Sequence, residues 1–132
     1  MDPLPFSEAE KALKAQAFSR LLGTELRRFE TGQVVLALTI RPEHRQQHGL
    51  VHGGVLAYLS DNAITFAAGS VLGPEVLTVE IKVNYLRPAR GPELLARGEV
   101  VYAGRRLAVC RAEVWEGDHL VALSQGTVAR KG

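Results

Sequence analysis

Apolar residues run almost unbroken from Val55 to Leu72, with Ser60, Asp61, Asn62, Thr65 and Ser70 as the polar interruptions. The spacing suits a helix, but one apolar nearly all round belongs inside a protein, not on its surface. Gly53-Gly54 precedes it and Gly73-Pro74 stops it. On either side the period changes to two. Val34, Leu36, Leu38 and Ile40 alternate with Val35, Ala37, Thr39 and Arg41, and Thr31-Gly32 supplies a turn, so residues 24–41 predict a hairpin that Pro42 ends. Leu77, Val79, Ile81, Val83 and Tyr85 alternate with Thr78, Glu80, Lys82 and Asn84. Three more strands follow, at 94–102, 107–115 and 120–128, with turns at Pro88 to Pro92, Gly104 and Glu116-Gly117-Asp118. Short turns make these late strands antiparallel neighbours. At the start, Ser7-Glu8-Ala9-Glu10 reads as a capping box. It opens a helix of about 15 residues, with Ala9, Leu13, Phe18, Leu21 and Leu22 as its apolar stripe and Gly23 as its stop. Helix, two strands, buried helix and four strands predict an α+β fold, one antiparallel sheet around one helix.

Length and composition narrow the class. A chain of 132 residues with 46% hydrophobic and 23% charged residues is one ordinary globular domain, spanning 1–132. Such a chain buries roughly two-thirds of its unfolded surface, so neither disulfide nor metal is needed to hold it. The single cysteine, Cys110, has no internal partner and fits a reducing, cytoplasmic compartment. Sixteen basic against fourteen acidic residues give a formal charge of +2, too balanced to imply nucleic acid. No basic segment leads into an apolar run at the start, so neither signal peptide nor membrane span is expected.

Asp61 is the residue most in need of a reason. A carboxylate in an apolar helix is costly unless it is paired or functional, although Asp61, Asn62 and Thr65 could equally mark a narrow solvent-facing strip. Gly53 and Gly54 sit where a helix start offers unpaired N–H groups and no side chain to block approach. That suits an oxyanion, and it also suits a tight loop-to-helix turn. Thr65 lies one turn beyond Asp61 and could orient its carboxylate or bond back to its carbonyl. His44, His48 and His52 recur every four residues, but Pro42, Gly49 and Gly53-Gly54 place them in loop, and no carboxylate or cysteine completes a metal set. No metal is expected. Cys110, between Ala108 and Ala112, reads as a small core residue. Ser124 has no nucleophile elbow around it.

His52-Gly53-Gly54-Val55-Leu56-Ala57-Tyr58-Leu59-Ser60-Asp61-Asn62-Ala63 resembles the H-G-G-x(4)-L-x-D-x-A signature of hotdog-fold acyl-CoA thioesterases. The nearer branch is the PaaI-type (phenylacetate-degradation) and 4-hydroxybenzoyl-CoA thioesterases. Asn84-Tyr85-Leu86-Arg87-Pro88-Ala89 is similar to that family's Y-x-R-P-A segment, and Gly104-Arg105-Arg106-Leu107-Ala108 to its G-R-R-x-A hairpin. The resemblance covers roughly residues 24–130. It implies a hotdog fold and hydrolysis of an acyl-CoA, without a cofactor. It also implies Asp61 as nucleophile or general base, and the Gly53 backbone N–H as oxyanion donor. Gln46, or Gln47 if the loop register slips, would position the carbonyl. His52 would brace the loop, with a secondary catalytic role open to it. Thr65 and Thr78 would stand beside the carboxylate. Arg87, Arg90, Arg105 and Arg106, with Gly54, would hold CoA, the arginines clamping its phosphates, although arginines at turns can also be a solvated sheet edge. Val55, Leu56, Tyr58 and Phe66 would line a pocket for an aryl or medium-chain acyl group. Two rivals share the fold: a hydratase or dehydratase, which needs a His and an acid near the helix start, and a non-catalytic acyl-CoA sensing module.

Gly53 and Asp61 are eight residues apart, so about 12 Å apart along a helix axis. One carbonyl can hardly touch both within one chain. A two-fold homodimer, each site built from two chains, removes the difficulty. The resemblance extends this to a homotetramer.

Overall fold

The computed structural model describes residues 4–132, with elements α1 (Phe6–Ala15), α2 (Ala17–Leu22), β1 (Glu25–Glu30), β2 (Gln33–Thr39), a 3₁₀ turn (Pro42–His44), α3 (Gly53–Leu72), β3 (Val76–Tyr85), β4 (Glu93–Ala103), β5 (Leu107–Glu116) and β6 (His119–Arg130). The six strands form one antiparallel sheet in the order β1-β2-β4-β5-β6-β3, wrapped around α3. This is the hotdog arrangement, with additional N-terminal helices.

α3 is long and apolar enough to cross a bilayer by length and composition, but here the sheet provides its apolar surroundings. Leu59, Ala63, Ile64, Ala67 and Ala68 are fully buried. Its buried polar groups find local partners: Ser60 Oγ donates to the Leu56 carbonyl at 2.8 Å, and Ser70 Oγ to the Ala67 carbonyl at 2.6 Å. The helix lies very close to the sheet where the sheet residues are smallest. A Cβ on Gly98 of β4 would stand 2.4 Å from the Ala63 carbonyl oxygen, so only glycine fits there.

The structure differs from the sequence reading in three places. Ser7 does not cap the first helix. Pro5 stands at the N-cap instead, two residues earlier, and its carbonyl accepts the Glu8 and Ala9 N–H groups at 3.0 and 3.2 Å. That helix is also two helices, broken where Gln16 turns extended (φ −78°, ψ 112°). The burial face shifts there, from Ala9 and Leu13 in α1 to Ser19 in α2. Ser19 Oγ donates to Gln16 Oε1 at 2.5 Å and meets the Tyr58 hydroxyl at 2.6 Å, which ties the break to α3.

Thirdly, β3 does not neighbour β4. It pairs with β6, and residues 86–92 carry the chain across the end of the sheet. That crossing is anchored by backbone bonds from Val51 N to Ala89 O at 2.8 Å and from Ile40 N to Pro92 O at 2.7 Å. The Glu116 carboxylate adds two more, accepting the N–H groups of Arg90 and of Gly91, the latter at 2.7 Å. Partial burial pushes this carboxyl up, but those two N–H bonds, with His119 and Arg87 nearby, bring it below the ordinary carboxylate range.

β3 also carries a bulge between Thr78 and Glu80. Before it, Val76 and Thr78 turn toward the helix while Leu77 and Val79 are exposed; after it, Ile81 and Val83 turn inward. One extra residue changes the phase of the strand, as bulges do.

Gly98→Ala is expected to cost about 1–3 kcal/mol of stability through overpacking against a backbone carbonyl that cannot move aside. Urea denaturation of the two proteins measures it; equal midpoints would show that helix and sheet have slack at that point.

Candidate active site

Asp61 sits mid-way along α3 on the one line of that helix the sheet leaves partly open. Ala57, Asp61, Thr65 and Gly69, each four residues apart, are all half-buried. Asn62 does not belong to that strip. It is buried and donates to the Tyr58 hydroxyl at 3.2 Å.

Asp61 Oδ1 is held from two sides. Thr78 Oγ1 donates to it at 2.7 Å, and Thr65 Oγ1 lies 3.3 Å away. The two threonine hydroxyls are 3.0 Å apart, and Thr65 also reaches the Asp61 carbonyl oxygen at 2.8 Å. Each hydroxyl has a single proton. If Thr78 gives its proton to the carboxylate, Thr65 can give its own either to the Asp61 carbonyl or to the carboxylate, but not to both. The shorter distance, to the carbonyl, favours the back-bonding reading, with the Thr65 hydroxyl still lying beside the carboxylate. Oδ2 has no hydrogen bond among the described residues, and the carboxylate lies on the partly open line. The bulge in β3 makes this arrangement possible, since Thr78 points at the helix because of the phase it sets.

The other predicted group assembles at the N-terminus of α3. His52 is the N-cap, and its Nδ1 accepts the Gly54 N–H at 2.8 Å. Gly54's amide is thus engaged, which removes it as a donor to substrate. The Gly53 N–H has no acceptor among the described residues. Gln46 Oε1 accepts the N–H groups of His48 at 2.5 Å and Leu50 at 3.3 Å, so this side chain braces its own loop. Gln47 is exposed. Tyr85, which reads in the sequence as the last apolar position of a strand, places its ring over Gly53, 3.7 Å from where a Cβ would be.

The three loop histidines have separate roles. His44 is buried, receives the Arg41 N–H on Nδ1 at 2.9 Å and meets the Leu22 carbonyl through Nε2 at 2.9 Å. A carbonyl can only accept, so Nε2 carries the proton. Desolvation, helped by the Arg41 charge, holds His44 below the usual imidazole range. His48 is exposed. Cys110 is fully buried, and burial pushes its thiol up to about 11. Ser124 Oγ bonds the Ala112 carbonyl at 3.4 Å within the core.

The arginines do not form one cluster in the chain. Arg87 and Arg90 precede β4, and Arg105 and Arg106 follow it; eleven residues of strand separate the pairs, about 30 Å at the usual rise. Arg87 Nη1 lies 2.9 Å from His119 Nδ1, and all four side chains are exposed. Of the predicted pocket residues, Val55 and Leu56 are buried in the core, and Tyr58 is committed to Ser19, Asn62 and Thr24, the last at 2.8 Å. Phe66 does line a cavity, described below.

Residues 48–123, more than half of the chain, match the family model described as the thioesterase superfamily. The chain belongs to the thioesterase superfamily. It is a thioester hydrolase of the PaaI-like kind. A solved structure of the phenylacetic acid degradation protein PaaI from Thermus thermophilus, a point mutant, is 34% identical, with TM-score 0.82 over 88% of this chain and 100% of that one. The medium/long-chain acyl-CoA thioesterase YigI of Salmonella typhimurium is 31% identical over 88% of this chain and 91% of its own length. The 1,4-dihydroxy-2-naphthoyl-CoA hydrolase of Listeria monocytogenes is 27% identical over 83% and 92%.

In this thioesterase, Cys110→Ala should leave turnover within about twofold, because a buried, protonated thiol is no nucleophile. Iodoacetamide at pH 8 should label Cys110 only after unfolding. Rapid labelling of the native protein would contradict its burial.

Proposed function

We propose that the protein hydrolyses acyl-CoA thioesters, with Asp61 as the carboxylate that attacks the carbonyl or activates a water to do so. The observation that carries this reading is the Asp61 carboxylate itself. One oxygen is held by Thr78 with Thr65 beside it, the other has no partner among the described residues, and the group sits half-open in an otherwise buried helix. Relatives named for medium/long-chain acyl-CoA and for a naphthoyl-CoA agree with an acyl-CoA substrate whose acyl part varies.

Thioester attack leaves an oxyanion, which wants N–H donors about 3 Å away. The Gly53 N–H, unpaired at the N-terminus of α3, meets the chemical need but not the distance to its own Asp61, about 12 Å by helical rise. A two-fold dimer resolves this. β3 is an edge strand of ten residues with an unpaired side, the kind of edge that invites a partner. Antiparallel pairing of two such edges about their middle would carry the Tyr85 end, with Gly53 beside it, to the partner's Thr78 and Asp61. The same operation would bring Arg87 and Arg90 toward the partner's Arg105 and Arg106. The four arginines, far apart in one chain, could then flank one CoA. The chain acts as a homodimer in this reading, and pairs of dimers would give the tetramer.

Asp61→Asn should lower turnover by about 10²–10⁴-fold, the usual loss for a general base, or more for a nucleophile. Asn is close in size, so melting temperature and acyl-CoA affinity should stay near wild type. Near-normal release of CoA thiol from a well-folded Asp61→Asn protein would remove the assignment.

Shared sites make a second prediction. Proline is welcome at the first position of a helix and removes the N–H, so Gly53→Pro should also be nearly inactive. Coexpressed with Asp61→Asn, it should recover about a quarter of wild-type turnover, since half the dimers are mixed and each mixed dimer has one intact site. No recovery from verified mixed dimers, or a fully active monomer in sedimentation, would show that each chain works alone.

A further inference from the structure

Gly69 stands inside α3, three residues before its last residue, Leu72. Glycine in a helix interior is destabilising relative to alanine, and here no packing demands it: a Cβ at Gly69 would meet nothing within 4 Å. Gly98 and Gly126, by contrast, are forced by backbone carbonyls 2.4 and 2.8 Å from the missing Cβ. The space beside Gly69 is an apolar cavity of about 150 Å³ between α1 and α3. Ala9 and Ala12 of α1 roof it, and Leu4, Phe29, Phe66, Pro74, Val76 and Gly69 itself form other walls. Thr65 lines the cavity too, and its hydroxyl is 3.3 Å from Asp61 Oδ1. Asp61, Thr65 and Gly69 are successive positions on the partly open line of the helix, so the cavity starts one turn beyond Asp61, at Thr65.

We propose that this cavity receives the acyl group of the thioester, with α1 as roof and the missing side chain of Gly69 as the space that sets its length. The inference rests on the thioesterase reading and specifies its substrate class. A mainly apolar cavity of about 150 Å³ has room for one benzene-sized group, so the group is a single ring or a straight chain of about six carbons. A fused double ring or a long chain exceeds it. The α1–α2 break at Gln16, which also lines the cavity, separates the roof from the part of the N-terminal segment that Ser19 ties to Tyr58.

The test compares kcat/KM on acetyl-, hexanoyl- and decanoyl-CoA for the wild type, Gly69→Ala and Gly69→Leu. Because the added atoms enter empty space, both variants should melt at or above the wild-type temperature. In the wild type, hexanoyl-CoA should be preferred over both others. The hexanoyl-to-acetyl ratio should fall at least about tenfold in Gly69→Leu, as expected for the loss of apolar pocket space, and by less in Gly69→Ala. Thioester hydrolysis with the same chain-length profile in all three proteins, or a wild type that prefers decanoyl-CoA, would overturn the pocket while leaving the enzyme reading intact. No hydrolysis of any thioester by the wild type would overturn both.

Discussion

A helix of twenty residues with almost no polar face has to be surrounded. Most of this structure follows from that need. An antiparallel sheet curls around α3, Gly98 occupies the sheet position against the Ala63 carbonyl, and serines inside the helix return their hydroxyls to helix carbonyls. Burial of this kind excludes water from a polar side chain unless the wrapping is left open on that side. The open line Ala57–Asp61–Thr65–Gly69 is that gap, and the proposed chemistry lies in it.

The gap gives the carboxylate an environment that neither the core nor the surface would. In the core, an unpaired carboxylate would be too costly to keep charged. In open water it would be mobile and well solvated. Between them, Thr78 and Thr65 fix one oxygen and leave the other directed at whatever fills the opening. The N-terminus of α3 is prepared separately, by a histidine cap that takes the second amide and leaves the first. The Asp61 carboxylate and the Gly53 N–H lie too far apart on one helix to meet, which is why the proposed site takes one from each of two symmetry-related chains.

Much of this could be read from the chain because the signals were periodic. The change from an all-apolar helix to alternating strands located α3, β2, β4, β5 and β6 within a residue or two, and the carboxylate at 61 stood out against its background. What failed was local grammar overruled from outside. Ser7 and Glu10 make a good capping box, yet the Pro5 carbonyl already serves the first N–H groups. Short loops suggested neighbouring strands, yet the loop before β4 spans the sheet end, held by bonds to Ile40, Val51 and Glu116 that no local pattern announces. Gly69 gave no signal, looking like a blemish in a helix, and Tyr85 stood out only as part of the Y-x-R-P-A resemblance, with no role attached. Their meaning lies in what stands next to them.

The bulge in β3 has a cost for solubility. The apolar residues of that strand alternate without a break in the sequence, and a regular strand would have turned all of them to one side. The extra residue splits them, so Ile81 and Val83 go to the core while Leu77 and Val79 are left on the outside, 59% and 61% exposed. Through the sheet register, Leu77 stands opposite Ala129, which stands opposite Leu107, itself 47% exposed. Aiming one threonine at a carboxylate thus leaves an apolar row on the outer face of the sheet, and that corner is where the molecule is least comfortable in water.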